Sequence, residues 1–179
     1  KGETNKKLSE LQRKYMKGQM EMQPDRNFYP DANSTLRVTY GKVEGFRPTD
    51  GIIYDYYSTI EGVIEKGKMG VYDYVVPAKL QQLWETKDYG QYTMANGQMP
   101  VCFIASNHTS GGNSGSPLLN ASGELVGLNF DRCWESTMSD YMFDAEFCRN
   151  ISVDIRYVLF IIDKYAGAKH LINEMTIIK

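Results

Sequence analysis

The residues best suited to chemistry fall in one stretch, Asn107-His108-Thr109-Ser110-Gly111-Gly112-Asn113-Ser114-Gly115-Ser116-Pro117. A serine hydroxyl is a weak nucleophile near neutral pH. It needs a base to take its proton and donors to hold the oxyanion that forms. Small residues on either side of Ser114 let the backbone turn tightly, so that successive amides face one concavity. The amides of Gly112 and Ser114 have the spacing of an oxyanion hole. Two hydrolase architectures use Gly-x-Ser-x-Gly-like turns, and the α/β-hydrolase elbow follows its serine with a helix. Here Ser116 stands where that elbow needs its last glycine, and Pro117 opens a strand–turn–strand pattern. The context favours a β-barrel site over an elbow. The plain alternative is a Gly/Ser-rich surface loop.

The rest of a triad is harder to find. The two histidines are His108, six residues before Ser114, and His170, near the far end of the chain. Neither is a convincing general base, so the chain by itself is expected to be nearly inert. Cys102, Cys133 and Cys148 are odd in number and lack metal-ligand spacing, which leaves a single disulfide open, favours free buried thiols and argues against zinc. No cofactor is implied. Asp140, Asp144 and Glu146 lack cation-loop spacing and read as a solvated acidic loop. The net charge of -2 argues against nucleic-acid binding, and 42% hydrophobic with 23% charged residues is ordinary for a globular protein.

These residues must be held by a framework. Residues 4–22 carry Leu8, Leu11, Tyr15 and Met16 on one face, a narrow helical stripe that needs a partner surface. Turn residues dominate from Pro24 to Asn33. Residues 35–43 alternate like a half-buried strand, and residues 51–64 are rich in β-branched and aromatic types. Pro77 to Thr86 reads as a short helix and Pro100 to Ala105 as a strand. Residues 117–120 and 124–130 form a hairpin about Ala121-Ser122-Gly123. Asp154 to Tyr165 is a helix, with Ile155, Val158, Leu159 and Ile162 on one face and Gly167 as its stop. The expected fold is mainly β with flanking helices. The chain opens inside a helical pattern, as expected of a segment cut from a longer protein.

Gly-Asn-Ser-Gly-Ser-Pro followed by Leu-Leu-Asn-Ala-Ser-Gly-Glu-Leu-Val-Gly-Leu-Asn-Phe-Asp resembles the nucleophile region of trypsin-clan bacterial peptidases. With Trp134-Glu135 and the run from Arg149 to Phe160, it closely resembles the bacterial serine dipeptidyl peptidases of the dipeptidyl-peptidase 7 and dipeptidyl-peptidase 11 kind. Pro30-Asp31-Ala32-Asn33, Leu36-Arg37 and Tyr40-Gly41 also fit. The resemblance implies a chymotrypsin-like double β-barrel with an inserted helical domain. Residues 1–27 would end that helical domain, and residues 28–179 would form the second barrel and a terminal helix.

It also implies roles. Ser114 attacks, while the triad histidine and aspartate come from the missing N-terminal half. His108 lies near the floor of the S1 pocket as a structural or wall residue. In these enzymes glycine after Asn-Phe-Asp goes with hydrophobic P1 residues and arginine with acidic ones; here the residue is Arg132. A guanidinium can hold a carboxylate bidentately and penalises an apolar side chain. An arginine paired with Glu135 or Asp131 on a turn is the alternative. Asp131 is a candidate for the substrate's free amine or for orienting Arg132, and Phe130 for lining P1 or P2, or else barrel core. The implied partners are peptides with a free N-terminus and an acidic P1. A homodimer is compatible, and the implied location is the periplasm or cell surface. A glutamyl endopeptidase and a non-catalytic binding module on a peptidase barrel are the competing readings.

Overall fold

The structure is a computed structural model that describes residues 2–26, 28 and 34–178. It divides into two compact units, residues 1–37 and 38–179. The first holds α1 (Gly2–Met22), the expected helix, with no buried residue. Leu8, Leu11, Tyr15 and Met16 lie on its surface. Of the expected turn region, residues 27 and 29–33 fall outside the described residues.

The second unit is built on a five-stranded antiparallel sheet in the order β3-β4-β7-β6-β5. Its strands are β3 (Tyr57–Thr59), β4 (Pro100–Ala105), β5 (Pro117–Leu119), β6 (Leu125–Arg132) and β7 (Asn150–Asp154). A separate pair joins β1 (Phe46–Thr49) to β2 (Ile52–Tyr54). The mostly β fold with flanking helices is as expected, but the sheet does not close into a barrel among the described residues. β3 and β5 are its edges and do not pair with each other. One reason lies in residues 35–43, expected to form a strand. They form no strand but make the bridge Val43–Ala105 and hydrogen bonds from Lys42 to Ser106 and from Asn107 to Thr39, and Leu36, Val38 and Tyr40 are almost fully exposed. Alternation describes a strand only where a neighbour takes its backbone hydrogen bonds.

Between β3 and β4 the chain forms α2 (Ile60–Gly67) and α3 (Ala78–Glu85). α2 falls where β character was expected to continue to residue 64. Ile60 and Ile64 are spaced i, i+4 and both are buried, so helical period overrides β-branching. In α3, Leu80 and Leu83 are buried after Pro77 at the N-cap. The helix expected from Asp154 begins as α4 (Ile155–Phe160), capped by the Asp154 carboxylate on the Arg156 N–H. Ile161–Tyr165 continue it as a π-helix, and α5 (Lys169–Asn173) follows. Gly167, at φ 70°, makes the stop. These helices share an apolar cluster that includes Ile60, Leu83, Tyr92, Met99, Leu159 and Phe160.

β7 was not foreseen, although it is the strand that joins β4 to β6. Asn150, Ser152 and Asp154 are its buried positions, so it lacks the apolar alternation that marks a strand. The three cysteines are free.

Candidate active site

Local hydrogen bonds account for the turn that carries Ser114. Asn113 Oδ1 accepts from the Ser110 N–H at 2.9 Å, and the Asn113 N–H donates to Ser110 O at 3.2 Å. The Ser116 N–H donates to Asn113 O at 3.0 Å, and the Gly115 N–H to Asn129 O at 2.7 Å. Gly112 and Gly115 have φ of 98° and 80°, in the region where only glycine sits without strain. The amides of Asn113, Gly115 and Ser116 are thus spent inside the protein. Those of Gly112 and Ser114 have no acceptor among the described residues.

β6 holds this turn from behind. The Asn129 N–H donates to Ser116 O at 2.9 Å, and Asn129 Nδ2 donates to Asn113 O at 3.2 Å. Asn129 Oδ1 accepts from Asn150 Nδ2 at 2.8 Å, and that nitrogen also reaches Ser152 Oγ at 3.1 Å. Asn129, Asn150 and Ser152 are all buried. Asn150 Oδ1 is the one buried side-chain polar atom without a partner among the described residues.

The register of β6 against β7 slips between Asn129 and Asp131, so Phe130 is the extra residue of a bulge. A bulge bends its strand and re-aims side chains. Phe130 O accepts from Ser114 Oγ at 3.2 Å, which ties the hydroxyl to the bulge. Phe130 is 51% exposed in this chain. Asp131 is exposed as well, and its Oδ1 accepts from the backbone N–H of Arg132 at 2.8 Å.

Arg132 points the other way. Its Nη1 donates to Ser139 Oγ at 2.7 Å and to Asp140 Oδ1 at 2.8 Å, and Nη2 donates to Asp140 Oδ2 at 2.7 Å. Its carboxylate partner is therefore Asp140, and neither Glu135 nor Asp131. Asp140, expected in a solvated loop, is only half exposed and grips the guanidinium. Hydrogen bonding from Arg132 holds its carboxyl below the ordinary carboxylate value. Among the described residues no acidic or thiol cluster could hold a metal.

His108 is not at the nucleophile. Its Nε2 lies 3.2 Å from Ser139 O, a carbonyl that can only accept, and its ring packs 4.7 Å from that of Phe143. With Arg132, Ser139, Phe143 and Asn150 it lines a narrow recess. His170 is exposed. Ser114 thus has no imidazole partner among the described residues.

Sequence reasoning picked out Ser114, Gly112, Phe130, Asp131 and Arg132, and the structure gathers them around one turn and one bulge. It missed Asn129, Asn150, Ser139 and Asp140. Asn129 had a signal, a polar residue at an inward position of an expected strand, whereas Asn150 had none because its strand was not foreseen. Arg149 was missed too. It is buried and donates to the carbonyls of Glu44, Gly45, Ala145 and Cys148, which stitches residues 44–45 to the approach to β7.

The Peptidase S46 family model matches residues 1–177. The Asp/Glu-specific dipeptidyl-peptidase of Flavobacterium psychrophilum is 59% identical over 98% of this chain and 24% of its own length. Dipeptidyl-peptidase 7 of Phocaeicola vulgatus is 51% identical over 99% of this chain and 24% of its own. The crystal structure of Porphyromonas endodontalis DPP11 in complex with the dipeptide Arg-Asp superposes with a TM-score of 0.85 at 50% identity, covering 93% of this chain and 24% of that one. The chain thus spans about a quarter of the length of the relatives it matches. On the match over nearly all of its residues, this chain belongs to the peptidase S46 family.

Proposed function

We propose that this chain supplies the nucleophile and the P1 pocket of a serine dipeptidyl peptidase that releases dipeptides ending in Asp or Glu from free N-termini. The observation that carries the reading is the placement of Arg132. It stands two residues past the bulge residue whose carbonyl holds the Ser114 hydroxyl, so the strand that anchors the hydroxyl also carries a cation. The kinship supports it, because the relatives include Asp/Glu-specific dipeptidyl-peptidases.

In this account Ser114 Oγ attacks the carbonyl after the second residue. A histidine and an aspartate from polypeptide outside these 179 residues complete the triad. The Gly112 and Ser114 amides receive the oxyanion, with a geometry that is preorganised and costs little to use. Arg132 takes the P1 carboxylate. Asp131 keeps one oxygen without a donor among the described residues, open to the substrate ammonium, and Phe130 offers an apolar wall. Residues 1–27 belong to an inserted helical domain. Residues 28–179 form the second half of a chymotrypsin-like fold whose barrel closes with strands from the longer polypeptide. The site of action is the periplasm or cell surface.

The test is cleavage by the complete polypeptide of Xaa-Asp and Xaa-Leu fluorogenic dipeptides with free amines, beside an N-blocked Xaa-Asp. The expected result is preference for free Xaa-Asp, lost in Arg132→Gly. Equal cleavage of the blocked substrate would make the protein an endopeptidase. Cleavage of none would leave a binding module.

A further inference from the structure

Arg132 is already holding a carboxylate when no substrate is present. Asp140 meets it end-on, one oxygen on Nη1 at 2.8 Å and the other on Nη2 at 2.7 Å. Ser139 Oγ takes the second hydrogen of Nη1 at 2.7 Å. Ser139 is buried, and its carbonyl is fixed by His108 Nε2. A planar guanidinium has five N–H groups in a fixed fork. Three are used here. The two left over, on Nε and the outer side of Nη2, have no acceptor among the described residues. They lie on one edge and form a second bidentate fork. That edge is a working carboxylate site in this same molecule: Arg156 holds Asp154 with Nε at 2.9 Å and Nη2 at 2.7 Å.

We propose that Asp140 is a specificity-determining positioning residue, which takes the end-on edge of Arg132 so that the side-on edge is presented to the P1 carboxylate. The inference rests on the reading of Arg132 as the P1 determinant. It goes further by giving Arg132 two faces with separate tasks. A long, flexible side chain would otherwise have to be ordered at every binding event, and that ordering lowers affinity. Asp140 and Ser139 order it in advance. A second carboxylate nearby also repels the substrate's own, but Asp140 is half exposed and the repulsion is screened. Preorganisation is therefore the larger effect.

The experiment is a double-mutant cycle in the complete polypeptide with Arg132→Gly and Asp140→Asn, read as kcat and KM on Xaa-Asp and Xaa-Leu. Asn keeps the size of Asp140 but offers one acceptor where two are needed. The proposal expects kcat/KM for Xaa-Asp to fall about tenfold relative to that for Xaa-Leu, chiefly through KM. Asp140→Glu should restore part of the loss, and Asp140→Asn should have no further effect on that ratio once Arg132 is glycine. Equal losses on both substrates would mean a merely structural role and overturn the proposal. A lower KM for Xaa-Asp would make Asp140 a competitor of substrate and overturn it as well. If Arg132→Gly alone leaves the preference for Asp intact, the P1 reading itself has failed, a separate outcome.

Discussion

Two buried regions of the second unit are built on opposite principles. Beneath α3, α4 and residues 89–99 lies an apolar cluster in which Phe160, Ile60 and Met99 are fully buried. Behind the nucleophile turn the buried residues are polar, with Asn150 and Ser152 almost inaccessible and Asn129 close behind. Apolar burial is strong but has no direction, so it fixes how firmly the unit folds. Hydrogen bonds among buried amides add less net stability, yet each fixes a direction and is costly to leave half-made. The apolar cluster therefore carries stability, and the asparagine network carries the position of Ser114.

Substitutions in each region should separate the two. Phe160→Ala removes a fully buried ring from the cluster and should cost about 3–5 kcal/mol by chemical denaturation. In the complete polypeptide its kcat per folded molecule should barely change. A large fall in kcat would blur the division. Asn129→Ala is the opposite case. It leaves Asn113 O without the side-chain donor and Asn150 Nδ2 without one acceptor, at about 1–3 kcal/mol. The smaller loss of stability should come with the larger loss of kcat, because the turn carrying Gly112 and Ser114 loosens.

Acid should sharpen the comparison further. The Asp140 carboxyl sits below its ordinary value chiefly through its hydrogen bonds from Arg132, against the opposing pull of desolvation. A depressed carboxyl stabilises the fold above its unfolded pKa of about 3.9 and loses that contribution as pH falls through the folded value. Midpoints of thermal unfolding, compared for the parent and Asp140→Asn, should differ slightly at pH 5 and converge as the pH falls through the lowered value of the folded carboxyl. The difference is small because the pair is part-exposed. The asparagine network, with nothing to titrate, should show no such dependence.

The smallest effect concerns Cys133, one residue past Arg132. Desolvation, then the Glu135 charge, pushes its thiol up to about 11. At pH 8 only roughly one molecule in a thousand then carries the thiolate. Alkylation at Cys133, followed by mass spectrometry, should be slow at pH 8 and rise steeply toward pH 11. Fast labelling at pH 8 would show that this end of β6 is more open than the structure has it.

What was legible in the sequence follows the same division. The helices at both ends, α3 and the β5–β6 hairpin each carry a local period or a turn signal, and all are present. Ser114 and Gly112 were legible because a tight turn demands small residues. Arg132 was picked out through family resemblance, since nothing local distinguishes it from an ordinary surface arginine. Asp140 was not legible as its partner. It lies across the 3-10 turn Trp134–Asp140, where no sequence period pairs it with position 132. β7 hid because its buried residues are polar, and residues 35–43 misled because alternation carries no information about whether a neighbouring strand exists. Non-local hydrogen bonding is the common cause of these misses.

The most direct test of the central claim is covalent trapping. The complete polypeptide would be treated with a free-amine dipeptidyl phosphonate carrying aspartate at P1, beside its leucine counterpart, and the adduct mapped by mass spectrometry. The account predicts a single adduct on Ser114, formed far faster with the aspartate reagent and no longer favouring aspartate in Arg132→Gly. An adduct on another residue, or equal rates for the two reagents, would contradict it.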